Sequence, residues 1–379
     1  MADLFVPGTI SELEAVYALI DARISWMDDV GIQQWNVTNY WECYPKAYYE
    51  TAAAEGRLYV LKCEGIVVGA VVLREQYGDQ LKQFDKYEED VVVVGFPCPA
   101  FTKQENGFYW RLPEVAKKGG GHDSNAALPD WEDLPALLAE LPDTEAPGLF
   151  DEAKKIADKA HAEGKYVLIH HWSLMYERIW NFRGMENLLM DYYDYPEEVH
   201  ALHRAVADTE IKLLRRAVRE LQPDGYMISD DLGTQTSLMM SPATFREFIK
   251  PYYVDVWGAA KELDLDVWLH TCGNVTSIIG DLIECGLSVL HPLQKHTMDW
   301  DAVAAEWKGK VAFWVGMDVQ DTLINGTPED VRKEVRLMRD TFDSPEGGFL
   351  YAAGNGIVGG TPLENIDAFL NECLTYGNT

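Results

Sequence analysis

His270 and Cys272, in the phrase LHTCG, have the types and the spacing to hold a metal ion. Residues two apart on a strand point to the same face, so this imidazole and thiol can reach one cation, and nitrogen with sulfur is a zinc donor combination. The same two residues also fit a hydrogen-bonded core histidine beside a buried thiol. Asp230 and Asp231 end the phrase YMISDD and are catalytic candidates. Being adjacent they face opposite sides, so one carboxylate should look into a site while its neighbour caps or braces the following helix. Glu177, in SLMYER at the expected start of a helix, is a third catalytic candidate. It is also a candidate third zinc ligand, with an ion pair to Arg178 or Arg183 as the alternative. His170 and His171, Gln235, His291 and Gln294, Asp318 and Asn355 complete the set as substrate-binding candidates. Loop hydrogen bonding is the competing role for His291, Gln294 and Asp318, and ordinary Gly-Asn-Gly turn chemistry for Asn355. Trp172, Tyr176, Trp180 and Trp268 would either line a pocket or fill the core.

These residues share one place in the chain's rhythm. Six short apolar runs end at His170 and His171, Asp230 and Asp231, His270 and Cys272, His291 and Gln294, Asp318, and Asn355, with helix-patterned stretches between them. Strands alternating with helices give a parallel sheet, and when it closes into a (β/α)8 barrel the chemistry gathers at the carboxyl ends of the strands. A barrel needs eight strands and six are clear. VVVVGF at 91–96 is a candidate seventh in the otherwise turn-rich stretch 76–150, and any further strand must come from that stretch or from the front, or be absent. The expected architecture is α/β: a (β/α)8 TIM-type barrel with atypical or missing first strands over residues 81–379, preceded by a small α+β segment over residues 1–80.

In that segment Leu13, Val16, Tyr17, Leu19, Ile20 and Ile24 recur at helical spacing, after a Thr9 or Ser11 suited to capping. RLYVLKC and IVVGAVVL are joined only by Glu64 and Gly65, which demands an antiparallel hairpin. With WMDDVGIQQW and TNYWECYP in the same order, residues 8–75 resemble the first half of a GNAT acetyltransferase. The Gly-rich turn that would cradle the acetyl-CoA pyrophosphate does not follow, so the resemblance implies a fold fragment without that activity.

Composition narrows the class further. With 32 Lys and Arg against 62 Asp and Glu, the formal charge of -30 repels polyanions, which excludes nucleic acid as a natural partner. The start MADLFVPGTISELEAV lacks the pattern of a secretory signal, and no apolar run is long enough to span a bilayer, so the expected location is cytoplasmic. Six scattered cysteines without a CxxC pair argue against a disulfide framework.

The phrases SLMYERIWNFRGMENLLMD, ISDDLGTQTSLMMSPATFREFIKPYY, LHTCGNVTSIIGDLIECGLSVLHPLQ and GGFLYAAGNGIVGGTPLENI, colinear over residues 150–375, resemble the uroporphyrinogen decarboxylase superfamily. That superfamily holds decarboxylases of haem synthesis and zinc-dependent methyltransferases that exchange methyl groups with a corrinoid or a thiol. The decarboxylases carry an amino-terminal Arg-rich phrase that residues 1–100 lack, and a GHG turn where this chain has Gly354, Asn355 and Gly356. The methyltransferase branch uses an H-x-C pair, matched by His270 and Cys272, and a distant third ligand, often Cys, where Asn355 stands. The resemblance therefore implies a zinc-dependent methyltransferase with a corrinoid carried on a partner protein, and requires a different third ligand. The alternatives are decarboxylation of a tetrapyrrole in porphyrin biosynthesis, with one Asp of the 230/231 pair acting without metal, or a catalytically inactive binding protein.

Overall fold

The computed structural model describes residues 4–30, 40–63, 66–72, 90–95 and 128–377. The GIQQW phrase at 31–35 and residues 96–127 lie outside them. The chain forms two compact units, Met1–Phe84 and Asp85–Thr379.

In the first unit the two apolar runs form an antiparallel hairpin, β2 (Leu58–Cys63) and β3 (Ile66–Val72). A third strand, β1 (Leu4–Pro7), pairs antiparallel with β2. Its four residues are too few for periodicity to announce. Thr9 leads into a turn of 3-10 helix and then the helix Leu13–Val30, longer than the spacing to Ile24 indicates. The Thr9 backbone N–H donates to the Glu12 carboxylate at 2.8 Å, satisfying a donor that the helix start would leave open. Leu13, Val16 and Tyr17 close on Tyr49, Ala52, Leu58 and Val60 to form this unit's own small core.

The second unit is built on seven parallel strands in sequential order: β4 (Val91–Gly95), β5 (Tyr166–Trp172), β6 (Gly225–Ser229), β7 (Asp266–His270), β8 (Val289–His291), β9 (Ala312–Gly316) and β10 (Phe349–Ala352). This is the TIM-type α/β arrangement, with VVVVG supplying the seventh strand. Among the described residues there is no eighth.

Period-two alternation splits every strand between two environments. Leu168, Met227, Trp268 and Val289 turn inward and pack with Tyr166, Ala312, Trp314 and Leu350. Their neighbours Val167, Ile169, Ile228, Val267, Leu269, Leu290, Phe313 and Val315 turn outward into the larger core shared with the helices. The helix Pro196–Leu221 shows how that layer is specified. Proline opens it, Glu197 and Glu198 occupy its first turn, and Val199, Leu202, Val206, Leu213, Leu214 and Leu221 form its buried stripe. No described helix is long and apolar enough to cross a membrane.

Candidate metal centre

Register brings the candidate residues together. Ser229 pairs with His270 across β6 and β7, and His270 pairs with His291 across β7 and β8. Two residues further along, Asp231 and Cys272 stand side by side on the inward face. Asp231, His270 and Cys272 each offer a ligand atom, and these atoms lie within 4.8 Å of one another. His270 Nε2 is 3.6 Å from Cys272 Sγ and 3.8 Å from Asp231 Oδ1. The backbone N–H of Cys272 donates to Asp231 Oδ1 at 2.8 Å, which fixes the carboxylate beside the thiol.

This donor set suits a divalent cation. Burial, with Asp231 next, pushes the Cys272 thiol up to about 12, and burial holds the His270 imidazole below its ordinary value. A thiol, a neutral imidazole and a carboxylate therefore meet in one half-buried place where two anions would repel. A bound cation reverses that balance, because it favours the thiolate and takes the imidazole in its neutral form. His270 also has the outer partner expected of a ligating imidazole: its Nδ1 lies 2.9 Å from His291 Nδ1, leaving Nε2 toward the thiol and carboxylate. His291 itself bonds to the Gly354 backbone and sits 4.1 Å from the Trp314 ring.

Two glycines lock the loops that carry these ligands. A Cβ on Gly273 would lie 2.3 Å from the Gly233 carbonyl, and a Cβ on Gly233 would lie 2.6 Å from the Asn274 nitrogen. The loops after β6 and β7 therefore approach backbone to backbone, joined by bonds from Gly233 N–H to the Cys272 carbonyl and from Asn274 N–H to the Thr234 carbonyl. Gln294 supports the same turn, its Oε1 accepting the Gly273 N–H at 2.7 Å.

The adjacent pairs separate as parity requires. Asp230 turns outward and is fully buried, its Oδ2 accepting from Met175 N–H, Tyr176 N–H and the Tyr253 hydroxyl and its Oδ1 from Glu177 N–H. The helix it caps is Tyr176–Arg183, which follows β5, and not the helix after β6 as expected from its place in the sequence. His171 also turns outward, its Nδ1 lying 2.6 Å from Glu210, whose other oxygen accepts from the Tyr226 hydroxyl. Its ring is buried between sheet and helix. Arg178 donates to the Ser173 and Trp172 carbonyls, and Arg183 pairs with Asp191.

Glu177 is buried with Oε2 lacking a hydrogen bond, and burial followed by Asp230 and Asp231 pushes its carboxyl up to about 9. It lies outside the three-residue cluster. His170 turns inward, its Nε2 buried without a partner, and burial with His171 and His270 lowers it to about 4. Asn355 Nδ2 stands 3.0 Å from Cys272 Sγ. Gln235, Gln294, Asp318 and Asn355 line one cleft. Within it Asp318 accepts from Gln320 N–H, Asp321 N–H and His296, so much of its capacity is spent on its own turn. Of the aromatics, Trp268 lies on the inward floor, Trp172 stands 6.0 Å from the His270 ring, and Tyr176 and Trp180 join the outer core. Asp231 joins the candidate ligands only in the structure, although parity and the register of neighbouring strands point to it.

Residues 172–376 match the family described as uroporphyrinogen decarboxylase (URO-D). The chain is 24% identical over 271 residues to a methylated-thiol–coenzyme M methyltransferase of Methanosarcina mazei, covering 70% of this chain and 66% of that protein. It is 31% identical over 159 residues to the methylcobamide:CoM methyltransferase MtaA of Methanosarcina barkeri, covering 41% and 42%. A uroporphyrinogen decarboxylase of Schizosaccharomyces pombe is 21% identical over 197 residues, covering 49% of this chain and 51% of its own. The alignments thus span between about two-fifths and just under two-thirds of these relatives' length. A solved methyltransferase structure from Methanosarcina mazei has a TM-score of 0.49 at 19% identity, covering 61% of this chain and 67% of that one.

Proposed function

The chain belongs to the uroporphyrinogen decarboxylase family, and we propose that within it the chain is a methyltransferase, moving a methyl group between a small substrate and a corrinoid or thiol at a zinc centre held by Asp231, His270 and Cys272. The observation that carries this reading is the meeting of three different donors, from two adjacent strand ends, within 4.8 Å. Three protein ligands leave a position open for substrate, the arrangement of a catalytic zinc site. Zinc bound there lowers the pKa of a thiol and supplies a nucleophile at neutral pH.

The chain's own residues do the positioning. His291 holds the His270 ring so that Nε2 faces the thiol, and the Cys272 N–H holds the Asp231 carboxylate. Asp231 takes the place of the absent distant cysteine, so the third ligand comes from β6 instead of β10. Below the ligands, Leu168, Met227, Trp268 and Val289 close the floor with apolar surface. Substrate therefore approaches from the strand-end side, where Gln235, Gln294 and Asp318 line the cleft and a corrinoid protein would dock. Tetrapyrrole decarboxylation draws no comparable support, because Asp230 is closed off by its four donors and Asp231 is engaged with Cys272.

Metal analysis tests the reading. The reconstituted protein should hold about one zinc per chain, transfer the methyl group of methylcobalamin to a small thiol, and lose both properties in a His270→Ala, Cys272→Ser variant. No metal after reconstitution, or unchanged metal in that variant, would refute it.

A further inference from the structure

The turn after β10 lines the cleft and reaches both residues of β7 that the proposed centre uses. Gly354 supplies the backbone partner of His291, which holds His270, and Asn355 directs its amide to the Cys272 sulfur at 3.0 Å. The turn is fixed in place: Gly354 has φ of 57°, and a Cβ there would lie 2.8 Å from the Met317 carbonyl oxygen. A metal-bound thiolate can only accept a hydrogen bond, so the amide must present N–H to it and not its oxygen.

That contact matters because a methyltransferase of this design holds two sulfurs or other nucleophiles near one methyl donor. Cys272 can be methylated in place of the substrate, and such a chain would disable itself. We infer that Asn355 is a positioning residue that protects Cys272 from self-methylation, its N–H drawing charge from the thiolate and leaving the substrate the better nucleophile. The inference rests on the zinc reading above. Nucleophilicity of sulfur falls as its charge is stabilised, with only part of that stabilisation lost at the transition state, so removing the donor should speed alkylation about fivefold.

Methyl iodide is the probe. The Cys272 sulfur attacks its carbon, a C–S bond forms, the C–I bond breaks and iodide leaves. Zinc content is first measured for the wild-type chain and for Asn355→Ala and Asn355→Leu. Methylation of Cys272 is then followed by peptide mass spectrometry, scaled to zinc-bound chain, with Cys285 and Cys373 as internal references. Leucine keeps the bulk of asparagine without its donor, so both variants should methylate Cys272 about fivefold faster than wild type while the reference cysteines are unchanged. Faster reaction in Asn355→Ala alone would reveal a steric shield and overturn the inference, as would equal or slower reaction in both. A chain that takes up no zinc fails at the metal analysis, before methyl iodide is added, and sinks the parent reading together with this one.

Discussion

The two neighbouring aspartates allow a sharp test, because the structure gives them opposite work. In Asp230→Asn one side-chain oxygen remains. If it stays at the Oδ2 position it keeps Met175 N–H, Tyr176 N–H and the Tyr253 hydroxyl, and the new amide then faces the Glu177 N–H, donor against donor. A buried donor left unpaired costs about 1–3 kcal/mol, and loss of the negative charge at a helix start about another 1 kcal/mol. Asparagine avoids the burial penalty that raises the Asp230 carboxyl above its ordinary range, which offsets part of this. The expected net loss is about 2 kcal/mol, or about 3 °C in melting temperature at an unfolding entropy of roughly 2.1 cal/mol/K per residue across a unit as long as Asp85–Thr379. In Asp231→Asn the remaining oxygen keeps the Cys272 N–H bond, so melting of the metal-free chain should stay within about 1 °C. Zinc binding and methyl transfer should instead fall steeply, since a neutral amide replaces an anionic ligand. Melting by calorimetry after chelation separates stability from metal linkage, and metal content with turnover completes the comparison. If Asp230→Asn melts like wild type but abolishes turnover, or Asp231→Asn is the variant that loses stability, the parity argument fails.

Two further outcomes follow from other parts of the second unit. His203 is fully buried against Tyr252, and burial lowers its imidazole to about 4, so it stays neutral in the folded chain while the unfolded chain takes a proton near pH 6.5. Acidification from about pH 6.5 to 4 should therefore remove about 3 kcal/mol of stability through this group; urea titrations of His203→Phe should show a shallower loss over that window, and an unchanged slope would refute the assignment. Gly273→Ala touches no ligand side chain, yet its Cβ would meet the Gly233 backbone at 2.3 Å at a φ of 83°. It should cost at least about 2 kcal/mol and weaken zinc retention by parting the two loops, whereas wild-type melting with full metal content would show that the loops yield freely.

Much of the site was legible because alternation along a strand needs no tertiary information. HisHis, AspAsp and His-x-Cys at strand ends already say which neighbours must part and which must converge, and Asp230 and Asp231 do part. What alternation alone leaves open is the partner of an outward group. Asp230 caps the helix after β5 and not the one after β6, since the nearest unsatisfied N–H groups, those of Met175, Tyr176 and Glu177, lie across the strand boundary. Likewise the partner of His171 is Glu210, from the middle of a helix 39 residues on, which alternation does not indicate. The stretch after β4 carried too little periodicity to yield an eighth strand.

The third ligand shows what a reading one strand at a time misses. Glu177 drew attention because its type was right and its helix began near a strand end, and Asn355 because of its place in the resemblance. Asp231 needed two facts combined: that it faces inward, and that Ser229 pairs with His270, which sets Asp231 beside Cys272. Consecutive strands of a parallel barrel are neighbours as a rule, so the combination was open to inference. Its consequence reaches the chemistry. In the proposed centre a carboxylate from β6 stands in place of a thiolate from β10, and the β10 turn reaches the ligands through Gly354 on His291 and through Asn355 on Cys272. A cysteine at 355 would add a ligand but remove the N–H that now faces the sulfur, so the two arrangements are alternatives at one turn: a second thiolate, or the proposed guard for the thiolate of Cys272.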